Sequence, residues 1–298
     1  MHMHHVRKGR GKPLLLIHGL GGSWRSWSPI LDALAETREV IAVDLPGHGD
    51  TPPLQGEASI RTFADALTAF LTDNNLLGID AVGSSMGARL VLELARRGGV
   101  LGAVVSLDPG GFWRSWEIPV FYSSLYVSIR LVRILQPLMP WIACHAVTRT
   151  VCFAQLSARP WKLPAQLLID EMHSYVKSPS FDELLYRLAH GEAQAGAAPG
   201  SIKPPLVIGW GRRDRVCFVR QAERASALFP DAQLHWFEHS GHFPHWDMPQ
   251  QTIDLILAST GKAPSSSRNG FAAAQGLSMP SAAAVCSSAR LPASSAER

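Results

Sequence analysis

Gly83-Ser84-Ser85-Met86-Gly87 sets a serine between two glycines where an apolar run, Leu76 to Val82, gives way to a helical pattern, Ala88 to Arg97. A strand that enters a helix through so tight a turn brings its backbone against itself, which glycine allows because it has no Cβ. The turn lifts the Ser85 hydroxyl out of the sheet, over the positive end of a helix dipole. A nucleophilic serine needs that setting. It also needs backbone N–H groups for an oxyanion, a histidine to take the proton and an acid to orient the histidine. Taken alone the five residues equally describe a plain strand-to-helix turn, so the rest of the chain has to supply the partners.

Hydrophobic periodicity gives the elements that would position them. Leu14 to Ile17, Val40 to Val43 and Val104 to Leu107 are short, continuous apolar runs, as expected of parallel strands buried on both faces. Helical patterns follow at Ser26 to Glu36 and at Ser59 to Leu71, the latter with Ser59 as N-cap. From Phe112 to about Gly200 the alternation stops and helical, aromatic-rich segments take over. It resumes with a strand at Leu206 to Ile208, a helix at Phe218 to Phe229, a strand at Leu234 to Phe237 and a helix at Gln251 to Ser259. The expected fold is α/β, a mostly parallel central sheet flanked by helices, with residues 1–111 and 201–260 as the core. Residues 112–200 are expected to form an inserted helical cap, and 261–298, rich in Ser and Ala, a disordered tail.

In open parallel sheets the chemistry sits beyond the carboxyl ends of the strands. His18-Gly19-Leu20-Gly21-Gly22 ends the first strand, and its glycine-rich turn exposes N–H groups. Asp44 to Gly49 ends the second, Asp108 the fourth, and Gly211-Arg212-Arg213-Asp214 and Ser240-Gly241-His242 the last two. Of His235, His239, His242 and His245, only His242 follows a Ser-Gly turn directly after a strand.

These five strand-end motifs, in this order and spacing from Val6 to Thr260, resemble the α/β-hydrolase fold superfamily, and the chain is similar to its capped bacterial members. The resemblance implies Ser85 as nucleophile, His242 as base and Asp214 as acid, with Asp108 as the alternative acid. It implies oxyanion donors at the N–H groups of Leu20 and Met86. It implies a serine hydrolase acting on a carboxylic ester or thioester through an acyl-enzyme; carbon–carbon bond hydrolysis, perhydrolysis and acyl transfer belong to the same fold. Ser84 stands where the family often has histidine, Ala88 where it often has glycine, and Cys217-Phe218 where it often has proline. These departures bear on substrate class. A non-catalytic binding or accessory protein on the same scaffold is the reading of another class.

Ile118 to Ile169 holds no Asp or Glu, but Arg130, Arg133, Arg149, Arg159 and Lys162, with Phe121, Tyr122, Tyr126, Trp141, Phe153 and Trp161. It reads as a helical lid whose apolar face covers the sheet; a functional reading adds an apolar acyl pocket with a basic rim toward acidic lipid headgroups. Trp24, Ser84, Phe112, Trp113 and Phe243 are the expected pocket residues. The expected partner is a small, lipophilic substrate, with transient membrane-surface contact through the cap; arginine-rich runs of a nucleic-acid patch are absent from the sequence, and its net charge is only +4. No metal or cofactor is expected, since neither Gly-x-Gly-x-x-Gly nor a P-loop pattern occurs. Arg130, Arg133, Pro137 and Pro140 interrupt the nearest approach to a membrane span, Ile118 to Val147. Met1 to His5 lacks the apolar core of a signal peptide and reads as a mobile terminus, with adventitious metal binding by its histidines as the alternative. Cys144, Cys152, Cys217 and Cys286 form no CxxC pair, so reduced thiols and a cytoplasmic location are expected.

Overall fold

The computed structural model describes residues 2–260; the expected tail at 261–298 lies outside them. Among the described residues the chain builds one seven-stranded sheet in the order β1-β3-β2-β4-β5-β6-β7. Its strands are β1 (His5–Lys8), β2 (Pro13–Ile17), β3 (Glu39–Val43), β4 (Ile79–Ser84), β5 (Leu101–Leu107), β6 (Leu206–Gly211) and β7 (Gln233–Phe237). All neighbours pair in parallel except β1, which runs antiparallel along β3.

The apolar runs are strands because both faces are covered. Leu15, Ile17, Ile41 and Val43 point into one core and Leu14, Leu16, Val40 and Ala42 into the other. The first core is closed by α2 (Ile60–Asp73), α3 (Met86–Arg97) and α9 (Arg220–Leu228), the second by α1 (Ser28–Ala35) and α11 (Pro249–Thr260). Helix α2 starts where the N-cap signal placed it. Ser59 Oγ accepts the Thr62 N–H while Thr62 Oγ1 accepts the Ser59 N–H.

Between β5 and β6 stand α4 (Glu117–Leu135), α5 (Met139–Cys144), α6 (Ala146–Phe153), α7 (Ala165–Lys177) and α8 (Phe181–His190), with no strand among them. Helices α5 to α7 share a third apolar cluster with Phe243 and Trp246, at the start of and within the short α10 (Pro244–Asp247). The run Glu117–Cys144 is long and apolar enough to cross a membrane, which the sequence reading did not grant. It is broken by a 3-10 turn at Gln136–Leu138, and Phe121 and Ile129 on its inner side are buried in the first core.

The N-terminus departs from the mobile segment expected of it. Met3 is buried, the His4 N–H donates to Thr51 Oγ1, and His4 Nδ1 lies 2.7 Å from Asp44 Oδ2. The Asp44 carboxyl supplies the partner that a reading of His2 to His5 in isolation lacked, and β1 follows by pairing with β3. His4, Asp44 and Asp50 are also close enough together to hold a metal ion. Cys152 and Cys217 are free thiols.

Candidate active site

The turn from β4 into α3 is as tight as its glycines require. A Cβ on Gly83 would fall 2.1 Å from the Gly87 carbonyl oxygen, and one on Gly87 2.2 Å from that of Ile17. Ser85 occupies the apex at φ 56°, ψ −113°, a left-handed conformation that a non-glycine residue holds only at a cost of about 1–3 kcal/mol. Its N–H is fixed on the Leu107 carbonyl at 2.9 Å.

Ser85 Oγ lies 2.8 Å from His242 Nε2, and His242 Nδ1 lies 2.8 Å from Asp214 Oδ2. With the proton on Nδ1, His242 donates to Asp214 and Nε2 accepts from the serine hydroxyl. Each member is held in turn. Asp214, in the turn after β6, accepts the N–H groups of Val216 and Cys217 on Oδ1 at 2.7 and 3.0 Å. The His242 N–H donates to the Leu156 carbonyl at 2.9 Å. Asp247 accepts the Gly241 and Ala158 N–H groups on one oxygen and the Ser157 hydroxyl on the other, fastening the histidine turn to the 156–158 segment.

The structure separates the two candidate acids by contact. Asp108, at the end of β5, accepts the Gly211 N–H at 2.8 Å and lies beside Asp214. Burial and the neighbouring Asp214 carboxylate push the Asp108 pKa well up. Asp214 is the one bonded to His242.

The glycine-rich turn after β2 passes directly over the serine. A Cβ on Gly19 would come within 3.1 Å of Ser85 Cβ and 3.6 Å of its Oγ. His18 fixes the orientation of this turn, a role the sequence reading missed. Its Nε2 accepts the Leu45 N–H at 2.9 Å, so Nδ1 carries the proton and donates to the Gly19 carbonyl at 2.7 Å. Burial lowers the His18 pKa to about 4 and keeps the ring neutral, as this bonding requires. The Gly22 N–H also donates to that carbonyl. In a trans peptide the C=O and the next N–H point opposite ways, so the Leu20 N–H is directed away from both donors.

The five expected pocket residues are scattered. Phe243 packs on the His242 ring at 4.9 Å and on Trp246 at 4.3 Å. Ser84 is buried beside Ser85, its hydroxyl without a partner among the described residues. Trp24 donates its N–H to Asp44 Oδ1. Trp113 stacks on Phe121 at 4.1 Å, and Phe112 packs against Trp210 and Phe229 in the core. None of the five lines the apolar cavity of about 130 Å³ that lies among the inserted helices. Leu125, Ile129, Met139, Phe153, Tyr175 and Phe181 are among its lining residues. Tyr175 and Phe181 also abut the glycine-rich turn, since a Cβ on Gly21 would meet them at 2.9 and 2.7 Å. The turn thus stands between Ser85 and the cavity. Arg130 and Arg133 approach Asp182 at 3.8 and 2.8 Å.

Of the remaining histidines, His245 is buried, held neutral by a pKa lowered to about 3, and packs on Trp27 and Phe243. Asp214, Cys217 and His242 offer ligand atoms within 4.8 Å of one another, a set that linear spacing did not reveal. Burial and the nearby Asp214 and Asp108 push the Cys217 thiol well up and keep it protonated. Both His242 nitrogens are already engaged.

Glu171 is a further residue the sequence reading passed over. It sits on α7 at an apolar-face position, three and four residues after Leu168 and Leu167, which is the signal that could have found it. Ser26 Oγ donates to Glu171 Oε2 at 2.7 Å, and Tyr175 bonds the same carboxyl. Burial pushes the Glu171 pKa up to about 7. The folded protein therefore binds more protons than the unfolded chain between about pH 4.5 and pH 7, and stability falls as pH rises through that window. The loss amounts to about 3 kcal/mol. Urea unfolding of wild type and Glu171→Gln at pH 5 and pH 8 should show the variant gaining about that much relative to wild type at the higher pH; a pH-independent difference contradicts this account.

The comparisons with known proteins agree with this fold. A model of the alpha/beta hydrolase family matches residues 14–255. An uncharacterized protein of Mycobacterium tuberculosis is 28% identical over 258 residues, 83% of this chain and 75% of that protein. A thermophilic esterase from Thermogutta terrifontis superposes with a TM-score of 0.67 at 19% identity, covering 86% of this chain and 92% of the esterase. A meta-cleavage product hydrolase from Pseudomonas fluorescens does so with a TM-score of 0.66 at 18% identity, covering 86% and 93%. The chain belongs to the alpha/beta hydrolase family.

Proposed function

We propose that the protein is a serine hydrolase that cleaves a carboxylic ester or thioester with a largely apolar acyl group. The observation that carries this reading is the continuous line from Ser85 Oγ through His242 to Asp214, each link 2.8 Å long. Ser85 attacks the acyl carbon as His242 takes its proton, and Asp214 stabilises the imidazolium. The N–H groups of Leu20 and Met86 receive the oxyanion, each worth about 3 kcal/mol. His242 then protonates the leaving alcohol or thiol, and water activated by the same ring releases the acid from the acyl-enzyme.

In this reading residues 112–200 act as a cap, and the cavity among its helices holds the acyl chain. Its lining is mostly apolar, and two of its residues, Tyr175 and Phe181, abut the same glycine-rich turn that passes over Ser85. A carbon–carbon hydrolase acting on a dienoic keto acid would need free basic groups toward the substrate carboxylate. Arg130 and Arg133 do not serve, because both are turned to Asp182.

Hydrolysis of a panel of p-nitrophenyl esters and acyl thioesters of graded length tests the reading. Medium-chain substrates should exceed acetyl by at least tenfold in kcat/KM, since each buried CH₂ contributes about 0.8 kcal/mol. Equal or better turnover of acetyl substrates would remove the acyl role of the cavity.

A further inference from the structure

The inserted helices turn an unusual surface outward. Val120, Val127, Leu131 and Ile134 fall at a seven-, four- and three-residue spacing along α4 and so form one stripe, with Ile134 73% exposed. On α6, Val147 and Val151 are four residues apart and 77% and 75% exposed. Trp116, Tyr126 and Trp161 add exposed aromatic rings. Isolated apolar residues on a surface need no explanation, but a stripe of this length does.

Two further observations fix what the stripe suits. First, the apolar cavity opens onto it. Leu131 and Cys152 line the cavity and are themselves exposed, so the stripe and the cavity share an edge between α4 and α6. Second, the charge is one-sided. From Ile118 to Ile169 there are five basic residues and no acid. Asp182 of α8 pairs with Arg133 and Arg130. Arg149 spends its hydrogen bonds on the carbonyls of Leu163 and Trp161, which leaves its charge uncompensated, and Lys162 is exposed beside Trp161.

We infer that the α4–α6 face docks on an anionic lipid surface and that the acyl substrate enters the cavity from that surface. Apolar side chains flanked by Trp, Tyr and basic residues are what an interfacial helix presents to the headgroup boundary. Helix α4 lies on the surface rather than spanning it. Its inner side is committed to the protein core through Phe121 and Ile129, and Arg130 and Arg133 stand on its second half. A second copy of the chain fits the face less well, because pairing it with itself would oppose like charges. The docking stands on the surface alone; what enters the cavity rests on the hydrolase reading above.

Vesicle co-sedimentation of the full chain tests it, with phosphatidylcholine alone and phosphatidylcholine mixed with phosphatidylglycerol. Wild type and Ser85→Ala should bind the mixed vesicles alike and the neutral ones far less. Ile134→Glu combined with Val151→Glu should weaken binding at least tenfold, while turnover of a soluble short-chain ester is kept. Arg159→Gln with Lys162→Gln should weaken it about 30-fold, at about 1 kcal/mol per basic residue. Absence of binding to mixed vesicles, or binding that none of these substitutions weakens, overturns the inference. So does a wild-type dimer in light scattering that Ile134→Glu with Val151→Glu dissociates, which would assign the face to a second copy. Wild type that binds vesicles but hydrolyses no ester would leave the docking standing and refute the hydrolase reading instead.

Discussion

Ser85→Ala is expected to lower ester turnover by about a million-fold. The size follows from how the site is wired. Without the Ser85 hydroxyl the His242–Asp214 pair has no proton to take, so the three groups fail as a unit and do not lose separate shares. For the same reason His242→Ala should cost about as much as Ser85→Ala, and the double variant no more than either. The substitution is a clean one. The Ser85 side chain caps no helix N–H, and its backbone is fixed by its own N–H on Leu107 and its carbonyl to Arg89, bonds that alanine keeps. An unchanged denaturation midpoint beside the lost activity would place the whole effect on the chemistry.

Asp214→Asn should lower turnover by about ten-thousand-fold, whereas Asp108→Asn should stay within tenfold of wild type. The difference follows from what each carboxyl does. The asparagine amide group facing His242 Nδ1 would stabilise the tautomer with the proton on Nε2, which cannot accept from Ser85. Asp108 makes no bond to His242, and burial beside Asp214 disfavours its charged form, so a neutral asparagine there is well tolerated. Steady-state kinetics of the two variants side by side decide the matter, and a larger loss from Asp108→Asn would move the acid to β5.

The core of this molecule was legible because its strands are buried on both faces and therefore written as short apolar runs. Leu14 to Ile17 and Val40 to Val43 read as strands for that reason, and Ser59 marked the start of α2 through a capping pattern that is local in sequence. Strand β1 was not legible. His5 to Lys8 is a polar edge segment, and its order depends on Asp44, a residue some 40 positions away. The site divides in the same way. Ser85 and His242 sit in turns whose glycines announce them. The choice between Asp214 and Asp108 depended on which carboxyl reaches a ring from another strand end, which is a property of the packed sheet. The five expected pocket residues do not line the cavity. Strand-end aromatics such as Phe112 went to the core, and the lining came mainly from α4 to α8, whose mutual packing has no local signature.

The central claim, that Ser85 is an activated nucleophile, is tested most directly by a fluorophosphonate probe followed by peptide mass mapping. The account predicts stoichiometric labelling of the wild-type protein on the peptide carrying Ser85, slowed in Asp214→Asn and absent in Ser85→Ala. No labelling of wild type, or undiminished labelling of Ser85→Ala, would contradict it.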